Sequence, residues 1–285
     1  MYVAYYGFRE RPFALTPDPE YMFLAHDHRT AMTLIEYGLT QQAPLMLITG
    51  EVGCGKTTVI RYLLSRLDES TTVGLISNVG RSFSDLLKWV SMAYGLAYQG
   101  LDDVMLHDAL GQFLIKEYAA NRRVLLIVDE AQNLGADLLE DLRVLTNINA
   151  DKHVVLQVVL VGQPELRTMI NSPAFRQVAQ RISVDHHIEP MNREEAFWYV
   201  RHRLRVAGGE VSLFRNAAIS LIYEASRGVP RLINQLCDAA LVYGYSERSR
   251  RIERALVQEV LQDKCKGGLF QAGRSAQPVP TLKDA

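Results

Sequence analysis

Two short stretches of this chain hold residue types able to do chemistry. The first, "GEVGCGKTT", runs from Gly50 to Thr58 through Glu51, Val52, Gly53, Cys54, Gly55, Lys56 and Thr57. Gly50, Gly55, Lys56 and Thr57 fit the spacing G-x-x-x-x-G-K-[ST], in which glycines let backbone N–H groups close around phosphate oxygens. A lysine at that place reaches the β- and γ-phosphates of a nucleoside triphosphate, and the Thr57 hydroxyl is placed to ligate Mg²⁺. The second stretch, "VLLIVDEAQNL", ends an apolar run in Asp129 and Glu130. Asp129 suits a Mg²⁺ ion held through its water shell. Glu130 suits a general base that orients and polarises an attacking water. Taken singly, each stretch also has a plain reading: a glycine turn with an incidental lysine, or an acidic pair opening a solvated loop. Together they predict a site that binds and hydrolyses ATP with Mg²⁺.

Such a site needs a strand before the glycine loop and a helix after it. "LMLIT" (45–49) reads as a buried strand and a helix is expected from Lys56 to about Leu67. Helical patterns at 26–42, 82–95, 103–120 and 135–148 alternate with strand-like runs at 72–77, 124–128, 154–162 and 182–188. Apolar strands alternating with helices predict an α/β core, a parallel sheet covered on both faces. From residue 192 to 265 the pattern is helical throughout, with breaks at 207–210, 227–230 and 245–249. The expected organisation is an α/β nucleotide-binding domain over 1–190 that includes an N-terminal brace, a small all-helical domain over 191–266, and a flexible tail over 267–285.

The chain has 285 residues and a formal net charge of −1, so it is not a polycation built to coat nucleic acid. Cys54, Cys237 and Cys265 form neither a metal spacing nor a disulfide framework, which points to a reducing compartment. No basic segment followed by an apolar one opens the sequence, so no secretory signal is read there. The longest apolar runs, 124–128 and 154–162, fall short of the roughly 20 residues that cross a bilayer. A cytoplasmic protein without a transmembrane segment is expected, one that meets the inner membrane only through partners.

The switch-type base reader N-K-x-D is missing from the sequence, and a helical region containing "GVPRLINQL" (228–236) follows the sheet. This order of motifs resembles the AAA+ ATPases. The resemblance implies a P-loop AAA+ core with a helical lid, in which Arg231 is the "sensor 2" arginine. It also implies an arginine finger in "FRQVAQRISVDHHIEPM" (175–191), Arg181 first and Arg176 second, completing a neighbouring subunit's site in a ring or filament. Gln163, at the strand end "VLVGQPEL", takes the sensor 1 place, where the family commonly has Asn, Ser or Thr. Asn78 takes the place of the residue that restrains the catalytic glutamate.

The ordered set "YYGFRERPFALTPDPEYMFLAHDHRTAMTLIEYGL", "LITGEVGCGKTT", "LLIVDEAQNL", "GQPEL" and "GVPRLIN" over residues 1–266 is similar to the general-secretion-pathway A (ExeA-type) ATPases. Relatives of that family serve pilus biogenesis and exopolysaccharide or exosortase loci. Longer members add a membrane segment and a peptidoglycan-binding domain, neither of which is carried over to this chain. The resemblance places "RPFALTPDP" (11–19) against the adenine, with an ordinary brace on the sheet as the other reading. It implies an oligomeric ATPase that drives or licenses assembly of envelope proteins. Two alternatives remain open: a DNA-associated AAA+ regulator, such as a transposition target selector or replication factor, and phosphoryl transfer to a small molecule. For the DNA reading, "RHRLR" (201–205) and "SERSRRIER" (246–254) are the basic runs able to face phosphates. Cys54 is read as a small filler, or as a thiol beside the phosphates that makes activity sensitive to alkylation.

Overall fold

A strand enclosed by neighbours on both sides and helices on both faces has no position for a solvated side chain, and the most apolar runs of this chain become such strands. The computed structural model describes residues 1–16, 18–77, 83–150 and 153–266. Its parallel sheet is made of β1 (Leu45–Gly50), β2 (Thr71–Ile76), β3 (Arg123–Val128), β4 (Gln157–Gly162) and β5 (Ile182–Ile188), in the order β2-β3-β4-β1-β5. Every residue of β1 and β4 is buried.

α1 (His26–Thr40) precedes β1, and the helices between the strands are α2 (Lys56–Arg66), α3 (Phe83–Ala93), α4 (Asp103–Ala119), α5 (Ala136–Leu145), α6 (Pro164–Ile170) and α7 (Arg176–Arg181). Parallel neighbours require such crossovers. α1 buries His28, Ala31, Met32, Ile35, Gly38 and Leu39, the stripe that a 3.6-residue period lays on one face. α4 opens with the Asp102 side chain accepting from the Met105 N–H at 2.8 Å. Leu126, Val128, Val158 and Leu160 pack in one core with Leu86, Leu110 and Leu142 from α3, α4 and α5.

The sheet register decides what emerges at its carboxyl edge. Thr49 pairs with Gly162 and Val128 with Leu160. β1, β3 and β4 therefore end side by side and release the glycine loop, Asp129-Glu130 and Gln163 at one edge. This edge is where open α/β sheets bind ligands.

The run expected as one strand over 154–162 is divided. His153–Val154 pairs antiparallel with Asn149–Ala150, and β4 begins at Gln157. The Gln157 side chain is buried, and its amide donates to the carbonyls of Gly38 (3.1 Å) and Ala43 (3.2 Å). A buried amide must find partners, and these two tie the start of β4 to the end of α1.

The chain forms two compact units, Leu24–Glu189 and a second that joins residues 1–23 to the chain from Pro190 onward. The second unit contains α8 (Arg193–Val206), α9 (Asn216–Ser226), α10 (Pro230–Ser246) and α11 (Arg254–Lys266). Asn192 and Glu195 form a reciprocal capping box at the start of α8. α9 stops at Arg227, which takes the left-handed conformation (φ 51°), and Pro230 opens α10 with its ring at the first helical position.

The N-terminal segment expected to brace the sheet packs instead with these helices. The Arg9 N–H donates to the Ala207 carbonyl at 2.8 Å, and Phe13 packs edge-on to Phe214 at 5.8 Å. Arg203 explains the preference. Its guanidinium is buried and donates to the carbonyls of Pro12 (2.7 Å) and Ala14 (3.0 Å) and to the Tyr199 hydroxyl (3.0 Å). It also lies 4.6 Å from the centre of the Tyr21 ring. A buried charge needs such a full set of acceptors, and the N-terminal backbone supplies them.

No helix among the described residues is long and apolar enough to cross a membrane. The expected tail, 267–285, lies outside the described residues.

Candidate active site

The glycine loop leaves β1 at Gly50 and becomes α2 at Lys56. Gly55 caps that helix in the left-handed region (φ 94°), and a Cβ there would fall 3.0 Å from His28 Nε2. Only glycine combines that backbone angle with so close a neighbour. The first N–H groups of α2, together with its positive dipole end, are of the kind that binds an anion.

Lys56 is buried, and its Nζ donates to the carbonyls of Gly50 (2.7 Å) and Glu51 (3.0 Å). Burial lowers its pKa, and the charges of Glu130, Asp129 and Glu51 act in the opposite direction. Thr57 Oγ1 donates to Asp129 Oδ2 at 3.1 Å. The Glu130 N–H donates to Asp129 Oδ1 at 2.9 Å. Burial raises the Asp129 pKa, while these two hydrogen bonds favour its charged form.

A hydroxyl and a carboxylate held together are hard oxygen ligands of the kind Mg²⁺ takes alongside phosphate oxygens and water. Among the described residues there is no cluster of three or more His, Cys, Asp or Glu side chains able to hold a metal. An ion here would therefore rest on Thr57, Asp129 and the nucleotide's own oxygens.

Glu130 follows β3 in a left-handed conformation (φ 54°, ψ 37°), which is uncommon for a residue with a side chain and typical of functional turns. Its Oε2 accepts from Gln132 Nε2 at 2.6 Å and from Gln163 Nε2 at 3.2 Å. Gln163 begins just after β4 as the N-cap of α6, with Pro164 behind it. Its own N–H donates to Gln132 Oε1 at 3.0 Å.

The structure thus brings together Lys56, Thr57, Asp129, Glu130 and Gln163. It adds Gln132, whose role sequence reasoning missed. The available signal was its place two residues after Glu130 in "DEAQ".

Arg181, at the end of α7, donates to the Asn147 side-chain oxygen, and Arg176 is exposed at the start of that helix. Arg231 is exposed in the first turn of α10. Asn78 lies outside the described residues.

Of the two basic runs, "RHRLR" has its central Arg203 buried and committed to the N-terminal segment. In "SERSRRIER", Arg250 donates to the Tyr5 carbonyl at 3.0 Å and lies 4.4 Å over the Tyr5 ring. Cys54 is buried, and burial pushes its thiol up to about 11. The small-filler reading fits this position, and the reactive-thiol reading does not.

Residues 39–170 match the family model described as an AAA domain. The chain is 40% identical over 255 residues to "General secretion pathway protein A" of Aeromonas hydrophila, an alignment covering 88% of this chain and 46% of that protein. It thus spans about half the length of the curated relative it matches. Among solved structures it is similar to the ORC2 protein of Aeropyrum pernix in its ADPNP–ADP complexes, with TM-score 0.65, 18% identity, and 90% of this chain and 72% of that one covered. It is also similar to Cdc6p of Pyrobaculum aerophilum, with TM-score 0.64, 16% identity, and 85% and 67% covered. A Walker-type ATPase of Pyrococcus abyssi gives TM-score 0.60 at 18% identity, with 90% and 78% covered. At these identities the likeness is one of fold. The chain carries an AAA domain over residues 39–170 and is similar to general secretion pathway protein A over about half of that protein's length.

Proposed function

We propose that this chain hydrolyses ATP at the edge of β1, β3 and β4, and that its nucleotide state drives or licenses assembly of an envelope or secretion machinery. The observation that carries the catalytic part is the Thr57–Asp129 hydrogen bond (3.1 Å), which joins the two sequence motifs into one site. The loop N–H groups and Lys56 bind the phosphates. Glu130 orients a water against the γ-phosphorus and takes its proton as the bond to the bridging oxygen breaks and ADP departs. Thr57 and Asp129 would hold Mg²⁺, which when bound neutralises charge on the phosphate oxygens.

The assembly part rests on the 40% identity to a protein named for secretion. In this reading Arg181 is a finger acting in a neighbouring subunit, with Arg176 second. Arg231 acts as sensor 2 and Gln163 as sensor 1. The assembly is a homo-oligomeric ring or filament.

Glu130→Gln and Lys56→Ala test the site. The first should retain ATP binding and lose about 10²- to 10⁴-fold in kcat, the range of general-base catalysis. The second should lose affinity for a fluorescent ATP analogue. Near-wild-type hydrolysis by Glu130→Gln would remove Glu130 as base. Specific activity should rise with protein concentration, and a flat dependence would remove the trans arginine. Nucleotide-dependent filaments on duplex DNA at moderate salt would replace the secretion reading.

A further inference from the structure

We infer that Gln132 is a positioning residue for hydrolysis, a two-headed amide that locks the Glu130 carboxylate to the end of β4. The inference rests on the ATPase reading above and extends it to a residue that acts only through Glu130. Each end of the Gln132 side chain has a defined partner. Its Oε1 accepts from the Gln163 backbone N–H at 3.0 Å, and its Nε2 donates to Glu130 Oε2 at 2.6 Å. The first bond identifies which end of the amide is oxygen, because a backbone N–H only donates. The amide therefore cannot flip, and its NH₂ must face the carboxylate. Gln163 Nε2 donates to the same Glu130 oxygen at 3.2 Å, so the three residues, with the Gln163 backbone N–H as one link, close into a ring of hydrogen bonds.

The backbone accommodates this ring at a specific place. A Cβ on Gly162 would lie 2.9 Å from Gln132 Oε1, so a side chain on the last residue of β4 would press on the amide. Lys56 and Asp129 are two charged groups that feel Glu130. Their attraction and repulsion act on a carboxylate whose direction the two amides already fix. A donated hydrogen bond to an ionised oxygen is stronger than a neutral one, and two such bonds on one oxygen leave little torsional freedom. β4 carries Gln163 as its next residue, so a shift of that strand end on nucleotide binding is passed to Glu130 through Gln132.

The test uses the full chain and measures single-turnover hydrolysis beside the Kd of a fluorescent ATP analogue. Gln132→Ala should lower kcat by about 10- to 100-fold, the usual loss when a group that orients a reacting residue is removed. The analogue's Kd should move by less than about threefold, because the Gln132 hydrogen bonds go to Glu130 and the Gln163 backbone rather than to Lys56 or the glycine loop. Gln132→Glu keeps size and the acceptor for Gln163 but replaces the donor, and should lose at least as much.

The decisive comparison is the Glu130→Gln background. There the further change Gln132→Ala should alter the rate by less than about twofold, since residues acting as a unit are not additive. Unchanged or raised kcat in a folded Gln132→Glu protein overturns the inference, as does a full additional loss in the Glu130→Gln background. Those results leave the ATPase reading standing. A wild-type chain that hydrolyses no ATP overturns both.

Discussion

The His28 imidazole lies beneath the glycine loop with its Nε2 2.7 Å from the carbonyl oxygen of Cys54. A carbonyl only accepts, so Nε2 carries the proton. This bond turns the peptide between Cys54 and Gly55 so that its oxygen points at α1 and its N–H points the other way.

His28→Ala removes both the bond and the ring packed under Gly55. The loop loses the contact that holds its shape before phosphate arrives, so affinity should suffer more than chemistry. We expect the Kd for ATP to rise by about tenfold, of the order expected when a buried carbonyl loses its donor. Fluorescent-nucleotide titration reads the Kd. An unchanged Kd would show that the loop keeps its shape without His28.

Thiol reactivity should separate the three cysteines. Cys54 and Cys237 are buried and Cys265 is exposed. Burial raises the Cys54 thiol to about 11 and the Cys237 thiol well above its ordinary value. Native protein at pH 8 should therefore release one rapid equivalent in a thiol-exchange assay, and three after denaturation. ATP should not change the rapid equivalent. Fast, ATP-protected modification of Cys54 would contradict its burial.

Arg203 predicts a stability effect far from chemistry. Arg203→Ala strands the carbonyls of Pro12 and Ala14 and should destabilise by about 3 kcal/mol, typical of breaking a buried charged network. Arg203→Lys keeps the charge but cannot present the planar fork, so it should recover only part of the loss. Thermal unfolding followed by circular dichroism reads both. ATP affinity of the folded variants is not expected to be the quantity that changes first.

Glu117 makes a pH-dependent contribution. Its carboxylate accepts from Arg122 Nε (2.8 Å) and Nη2 (2.6 Å) and from the Thr72 hydroxyl, which ties α4 to the start of β3 and to β2. The Arg122 hydrogen bonds lead in holding its pKa down at about 2, against the ordinary value of 4.5. A depressed carboxylate stabilises the fold above its unfolded pKa, and the contribution is lost as pH falls from about 4.5 through about 2. Glu117→Gln should cost about 2 kcal/mol at pH 7, the scale of hydrogen bonds to a charged group. The difference from wild type in urea unfolding should shrink steadily as pH falls below 4.5.

The sequence made the strands, the loop and the acidic pair legible because each is local. "LMLIT" next to "GEVGCGKTT" needs no distant residue to be understood, and neither does an apolar run ending in Asp129-Glu130. Gln132 was hidden for the opposite reason. Its partners are Glu130, two residues back, and the backbone of Gln163, which β4 carries to the edge from thirty-one residues away. Gln157 likewise sat unremarked inside an apolar run, and only the carbonyls of Gly38 and Ala43 explain why the strand starts there. Arg203 looked like one of a basic row, because a helix pattern does not reveal which cation turns inward. The partners of the N-terminal segment are equally illegible, since short extended runs such as "RPFALT" carry no periodicity that names them.

The alliance of residues 1–23 with the chain beyond Pro190 makes the α/β unit, Leu24–Glu189, an insertion within the helical one. A ribosome delivers the first part of the helical unit, then the whole nucleotide-binding unit, and only then the helices that the first part needs. Phe13 waits about two hundred residues for Phe214, and the carbonyls of Pro12 and Ala14 wait nearly as long for Arg203. Contacts so distant in sequence form slowly, while the inserted unit holds its own set of strand neighbours and folds as a block. The glycine loop can therefore take shape on a nascent chain before the helices beyond it exist.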